Sequence, residues 1–303
     1  MWFDGEFIED AQARVSPLSH SLHYGGAVYE GIRFYEFPHN FWRSVFRLQD
    51  HINRLLVSAQ VMDMESPYGA EELCEAVLES VKKSDLQAGY IRPAIFRGEG
   101  IGLMSPGIPV HTMIAVLPWA QGPDSISLAT SKMIRLHPRS TSIGAKVAGH
   151  YVNSYLAAAE AKKSGANDAL LLDYEDNVAE TSIANVFFVK GETIFTPKTE
   201  NIFPGITRDT ILYLCHGEER DVSLQEAKEA DAMFVTGTAC EVLPVARLDD
   251  KVFDTENPLV RKIRAFFGHV VDSSCPVNKP WLSTLEPTSW ASKLINPAKG
   301  ANR

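Results

Sequence analysis

Ser142-Ile143-Gly144-Ala145-Lys146-Val147-Ala148-Gly149-His150-Tyr151 sets one lysine in a run of small and apolar residues. Most lysines lie in water, and composition alone gives little reason to except this one. The setting nevertheless has a chemical use. An amine that forms a Schiff base must be uncharged part of the time, and desolvation lowers a lysine pKa. Flanking glycines let a bulky planar group come close to the backbone. Tyr151 carries a hydroxyl that can point toward a ring oxygen, although an isolated tyrosine reads as an anchoring aromatic. Arg139 and His150 keep the segment from being wholly apolar.

Downstream, Tyr151 to Ser164 reads as a helix closed by Gly165. Ala169 to Asp173, a polar turn at Glu175-Asp176-Asn177, and Val186 to Lys190 suggest antiparallel strands, and Gly191-Glu192 turns the chain into Thr193 to Thr196. The connection Asn177-Val178-Ala179-Glu180-Thr181-Ser182-Ile183-Ala184-Asn185 offers a carboxylate, Glu180, whose ordinary reading is a solvated loop glutamate. Phe203-Pro204-Gly205-Ile206-Thr207-Arg208-Asp209 enters a helix running from Arg208 to Leu214, with Thr207 as its N-cap. Helix N-termini bind anions through their first amides and dipole. Thr236-Gly237-Thr238-Ala239 is a second candidate anion cradle, and as isolated motifs both are weak. Ala232 to Val235 reads as a buried strand and Pro258 to Val270 as a last helix. The Ser- and Pro-containing remainder reads as loosely ordered.

Upstream, Pro118-Trp119-Ala120-Gln121-Gly122-Pro123 breaks the pattern and marks a linker, followed by a strand over Ile126 to Ser131. Before it come a Trp2-Phe3/Glu6-Phe7-Ile8 hairpin turning at Asp4-Gly5, helices over Leu48 to Met62 and Ala70 to Ser84, and strands over Tyr90 to Phe96 and Thr112 to Leu117. Tyr90 and Arg92 alternate onto one strand face, where a tyrosine and a guanidinium can grip a carboxylate. His23-Tyr24-Gly25-Gly26-Ala27-Val28-Tyr29-Glu30-Gly31-Ile32-Arg33 is too glycine-rich for a continuous amphipathic helix and reads as a turn feeding a buried strand. Arg54 lies off the Leu48/Ile52/Leu55 stripe, which predicts surface exposure.

The 303-residue chain has a net charge of −9, 45% hydrophobic and 22% charged residues, and four widely spaced cysteines with no CxxC pair. That excludes the electrostatic footprint of a general nucleic-acid binder and gives little support to a disulfide framework or a metal site. No membrane-length apolar run and no signal-peptide layout is found, so a cytoplasmic enzyme without membrane attachment is expected. The expected organisation is α+β: a lobe over 1–117, a linker over 118–125, a larger lobe over 126–275 and a tail over 276–303.

The ordered set of these segments resembles the branched-chain-amino-acid aminotransferases, pyridoxal-phosphate enzymes of fold type IV. Gly144-Ala145-Lys146 with Gly149-His150-Tyr151 is similar to the family's cofactor-lysine segment. Asparagine is usual in bacterial members where this chain has His150. The Glu180 turn, Pro204-Gly205-Ile206-Thr207-Arg208 and Gly237-Thr238-Ala239 follow in the family's order, and so, earlier, do the His23-to-Arg33 signature and Tyr90-Ile91-Arg92.

The resemblance implies an α/β N-terminal lobe, a pseudo-barrel C-terminal lobe, and pyridoxal 5'-phosphate between them in a homodimer or larger assembly. Lys146 would be the catalytic residue. Arg54, Lys146, Tyr151, Glu180, Gly205, Ile206, Thr207 and Thr238 would bind the cofactor. Tyr24, Tyr29, Tyr90, Arg92, Thr238 and Ala239 would bind substrate, and a neighbouring subunit would contribute the Gly100-Ile101-Gly102-Leu103-Met104 loop. The implied reaction is ping-pong transamination between leucine, isoleucine or valine and 2-oxoglutarate, the partners being small amino acids and 2-oxo acids.

The regions before Lys146 and from Leu214 to Asp231 are shorter than expected for the family. D-amino-acid aminotransferase, (R)-amine transaminase and aminodeoxychorismate lyase activities, and a catalytically silent cofactor-binding dimer, therefore stay open at this point.

Overall fold

The computed structural model describes residues 1–37, 42–274 and 280–287. The chain divides into two compact units, one formed by residues 1–120 with 268–303, the other by residues 121–267.

The first unit is built on one antiparallel sheet. Its elements are β1 (Trp2–Phe3), β2 (Glu6–Phe7), α1 (His20–Tyr24), β3 (Val28–Tyr29), β4 (Ile32–Glu36), β5 (Arg43–Phe46), α2 (Leu48–Val61), α3 (Ala70–Lys83), β6 (Gly89–Arg97) and β7 (Val110–Leu117). The strand order is Leu282–Leu285, β5, β4, β6, β7, β1, β2, with β3 also on β6. The β1–β2 turn uses positive φ at both Asp4 (46°) and Gly5 (95°), as a two-residue hairpin requires. Leu48, Ile52, Leu55 and Ala59 of α2 and Leu73, Val77 and Val81 of α3 are buried, so the 3.6-residue stripes face the core. Arg43 is buried and donates from Nη1 to the Val81 (2.7 Å), Ser84 and Leu86 carbonyls, closing the C-terminal end of α3.

The second unit contains β8 (Ile126–Thr130), α4 (Tyr151–Lys163), β9 (Asp168–Leu172), β10 (Val178–Thr181), β11 (Asn185–Lys190), β12 (Thr193–Thr196), α5 (Ile206–Cys215), β13 (Glu218–Glu219), α6 (Leu224–Glu229), β14 (Ala232–Gly237), β15 (Glu241–Leu248) and β16 (Lys251–Val252). The order β10-β9-β8-β15-β14-β11 closes on itself because β10 also pairs with β11. Val186 to Val189 are fully buried, as expected of a strand covered on both faces. Parallel neighbours need a crossover; β8 and β9 are parallel, and the lysine segment with α4 forms theirs. A last helix, α7 (Pro258–Val271), spans the boundary between the two sets of residues. Among the described residues no helix is long and apolar enough to cross a membrane.

The structure corrects several expectations. Val178–Thr181 is a buried strand, so Glu180 lies on a strand and is not a solvated loop residue. Helix α5 starts two residues earlier than predicted. Gly205 is its N-cap and Thr207 sits buried inside the first turn. The glycine-rich signature begins within the short helix α1, which ends at Gly25 in the left-handed region (φ 68°). Within the 276–303 tail, Leu282–Leu285 is a paired strand, and residues from Gly268 onward group with the N-terminal unit. The rest of that tail, 276–279 and 288–303, lies outside the described residues.

Candidate active site

In the second unit, donors from Arg135, Asn185 and Phe203 converge on Glu180. It accepts hydrogen bonds from Arg135 Nε at Oε1, from Asn185 Nδ2 at Oε2 (3.0 Å), and from the Phe203 amide at both oxygens (3.2 Å). Strand pairing explains the nearest of these, because Glu180 on β10 is opposite Asn185 on β11. Asn185 Nδ2 also donates to the Phe203 carbonyl (2.9 Å), so one amide ties the acid to the turn that enters α5. Burial pushes the Glu180 carboxyl above the usual range, and the Arg135 charge opposes that shift most strongly. With Arg135 and Glu180 both buried, the pair is a desolvated charge pair fixed by additional donors.

Lys146 lies in no helix or strand. Its Nζ donates to Tyr151 Oη at 2.7 Å and sits 4.5 Å from the centroid of the Phe203 ring. The amine and the acid therefore border one residue, Phe203, from its side chain and its backbone respectively. Gly144 faces Pro204, and a Cβ built on Gly205 would collide with Asn185 Oδ1. Only a glycine lets the N-terminus of α5 approach the acid this closely.

The second cradle lies in the turn Thr238-Ala239-Cys240 between β14 and β15. It is registered on the same corner, since Thr236 pairs with Asn185, and Gly237 lies against Ala184 and the Ile183 carbonyl. Thr236 Oγ1 is buried without a hydrogen-bond partner among the described residues. Such an orphaned group in a native fold calls for a ligand or water. Among those residues no group of three or more His, Cys, Asp and Glu could hold a metal.

The first unit carries the remaining candidates. Arg92 Nη2 donates to Tyr90 Oη (2.9 Å), and the guanidinium lies over the Tyr29 ring at 4.4 Å, so the predicted shared face is realised. A Cβ at Gly31 would collide with Tyr90 Oη, which gives the glycine of the signature a steric reason. Trp119 stacks on Tyr90 at 5.0 Å and Arg33 lies over Trp119 at 5.4 Å. Tyr24 Oη accepts from the Gly102 amide (3.2 Å), and beyond it Ile101, Leu103 and Met104 are exposed.

Arg54 is not surface-exposed as its wheel position predicted. Glu30, fully buried, accepts from Arg54 Nε (2.7 Å) and Nη2 (2.9 Å), and His51 Nδ1 lies 2.8 Å from Glu30 Oε2. Burial alone would raise the Glu30 pKa. The Arg54 charge and the His51 and Arg54 hydrogen bonds outweigh it and hold the carboxyl well below the usual carboxylate range.

Sequence reasoning missed Arg135, Asn185, Glu30 and His51 as contributors. Glu30 stood inside the quoted signature without a role. The only local clue to Arg135 is a lone arginine between Ile134 and Leu136.

The residues fit a pyridoxal phosphate group. They offer an amine with a neighbouring phenol, a buried carboxylate suited to a protonated ring nitrogen, and a helix N-terminus and glycine turn suited to a phosphate. The amino-transferase class IV family profile matches residues 27–248. A branched-chain-amino-acid aminotransferase of Pseudomonas aeruginosa is 37% identical over 295 residues, covering 93% of this chain and 95% of that protein. The crystal structure of a branched-chain aminotransferase from Thermoproteus uzoniensis with norvaline superposes with a TM-score of 0.89 at 34% identity, covering 93% and 98% of the two chains. The crystal structure of the branched-chain amino acid aminotransferase of Escherichia coli superposes at 0.88 with 32% identity, covering 93% and 97%.

Proposed function

Because the chain belongs to the class IV aminotransferases, we propose that its Lys146, Tyr151 and Glu180 carry the amino-group transfer of that family. The protein is a pyridoxal-phosphate-dependent branched-chain-amino-acid aminotransferase with an α+β fold, in which one sheet is open and the other closed. The observation that carries the residue assignment is the 2.7 Å contact of Lys146 with Tyr151, beside the turn that holds Glu180.

When bound, the cofactor supplies an electron sink that stabilises negative charge at the substrate α-carbon. Glu180, fixed by Arg135 and Asn185, would hold a proton at the ring nitrogen. Lys146 Nζ would hold the cofactor at rest and, as a free amine, would take the proton from the substrate α-carbon and deliver it to the cofactor. Tyr151 Oη orients that amine. Gly205, Ile206 and Thr207 at the positive end of α5, with Thr238, would hold the phosphate, and Arg54 keeps its place among the cofactor residues through the family resemblance.

On the substrate side, Tyr24 and Tyr29 wall an apolar side-chain pocket. In the second unit the Thr238-Ala239 amides are offered to the α-carboxylate, and in the first Tyr90 and Arg92 are offered to the carboxylates of glutamate or 2-oxoglutarate. Leucine, isoleucine and valine are the donors and the cycle is ping-pong. A homodimer is supported by exposed apolar side chains on α4, Val152, Tyr155 and Leu156, and on the 101–104 loop. A cytoplasmic location is supported by the free thiols of Cys74, Cys215 and Cys240.

The test is to mix holoenzyme with leucine and 2-oxoglutarate while following the cofactor absorption band and glutamate formation, with D-alanine and an (R)-amine in parallel. Leucine-dependent band loss with glutamate formed is the expected result. Turnover only with D-alanine or the (R)-amine would overturn the substrate assignment. Lys146→Ala is expected to abolish transamination while leaving the assembly intact, and substantial residual turnover would show that another lysine reacts.

A further inference from the structure

Lys146 and Tyr151 are held 2.7 Å apart, yet the lysine itself lies outside helix and strand, ahead of a single 3-10 turn over Ala148–His150. Two local turns shape the segment that bears it, with the Ala145 amide on the Ser142 carbonyl (3.0 Å) and the His150 amide on the Val147 carbonyl (3.1 Å). Neither turn spans the lysine. What spans it is a side chain. His150 Nε2 lies 2.7 Å from Thr141 Oγ1, and the same ring is hydrogen-bonded to the backbone of Ala145, the residue before Lys146.

We infer that His150 is a positioning residue for the reacting amine, its imidazole clamping the Thr141–Ala145 flank of Lys146 to the start of the helix that carries Tyr151. The chemistry of the ring suits the task. A neutral imidazole has one donor and one acceptor, which matches a backbone carbonyl on one side and a hydroxyl on the other. The surroundings favour that neutral form, because burial first and the Arg135 charge second disfavour a protonated ring. A second tie runs the same way, from Asn153 Nδ2 on α4 to the Ile134 carbonyl beside Arg135 (3.3 Å). The clamp therefore links the lysine segment, the tyrosine helix and the arm that holds Glu180.

This inference rests on the assignment of Lys146 as the reacting amine, and the experiment separates the two. Borohydride treatment of wild-type holoenzyme, followed by peptide mapping, must place the reduced cofactor on Lys146; any other site overturns both. With that established, His150→Phe holoenzyme is compared with wild type for leucine kinetics and for the visible dichroism of the bound cofactor, which reports how asymmetrically it is held. The expected result is a kcat lower by on the order of tenfold, as small misplacements of a reacting group produce. KM for leucine is expected to stay within about twofold, because the clamp acts on the chemical step rather than on substrate binding. The dichroism is expected to weaken. His150→Asn, which keeps one hydrogen-bonding arm, is expected to recover most of the kcat. Unchanged kcat and dichroism in His150→Phe, or a His150→Asn variant as impaired as His150→Phe, would overturn the clamp. Should His150→Phe fail to fold, Thr141→Val removes a single hydroxyl from the ring and decides by the same two readouts.

Discussion

The Glu180 carboxylate shows how one side chain can be both functionally exposed to error and structurally committed. Glu180→Gln preserves its shape but leaves the buried Arg135 guanidinium without its counter-charge. Breaking a buried pair from one side costs about 3–5 kcal/mol. A large fall in melting temperature should therefore accompany a kcat loss on the order of a hundredfold or more, since electrostatic stabilisation at the reacting centre is lost too. A stable variant with near-normal kcat would mean that the ring nitrogen is served by another group. Gly205→Ala drives a methyl group into Asn185 Oδ1. Overpacking of this kind costs about 1–3 kcal/mol, and faster cofactor loss on dialysis is the expected sign that the Asn185–Glu180 bond has shifted. At this scale Lys146, Tyr151 and Glu180 were singled out by the resemblance of their segments to the family, while residue type alone read each of them as ordinary. Arg135 was not singled out. Its partner lies 45 positions away, and an ion pair across a sheet leaves no periodic trace.

Among the elements, α2 presents its apolar stripe to the core and turns Arg54 and His51 onto Glu30. Glu30 is depressed in the folded state, so its contribution to stability is complete above the unfolded carboxyl value of about 4.3 and is lost as pH falls through the folded one. Acid unfolding followed by far-ultraviolet circular dichroism should show that dependence in the wild type. Glu30→Gln should be less stable at neutral pH and flatter across the acid range. An identical acid limb in both proteins would show that Glu30 is not the titrating group. Helices α2, α3, α4 and α7 were legible, three of them because buried residues recur on one stripe. Strand β15 was not read from the sequence; the structure accommodates Pro244 on a strand whose register to β8 shifts between Val245 and Arg247. Strand β10 was missed as well. Its Glu180-Thr181 polarity looks solvated until the pairing partners that bury it are known.

Across the whole chain, the residues that return to the N-terminal unit are the ones composition hid most completely. Leu282–Leu285 pairs with β5, and Trp281 packs on Phe46 at 6.1 Å while its carbonyl accepts from the Arg47 amide (2.6 Å). A four-residue strand after a Ser- and Pro-rich stretch has no signal of its own and acquires one only from the edge it covers. Trp281→Ala should cost about 3–5 kcal/mol, read as a lower urea midpoint, with the folded fraction keeping wild-type kcat; a fall in kcat of that folded fraction would give the tail a role in chemistry.

The closed strand circuit of the other unit has a consequence for how the two assigned groups are held. Position 180 is paired with Leu171's strand on one side and Asn185's on the other, so backbone pairing holds it from both sides. Position 146, by contrast, lies outside helix and strand. On the proposed assignment, the acid is thus woven into paired backbone while the reacting amine stands on a residue outside helix and strand.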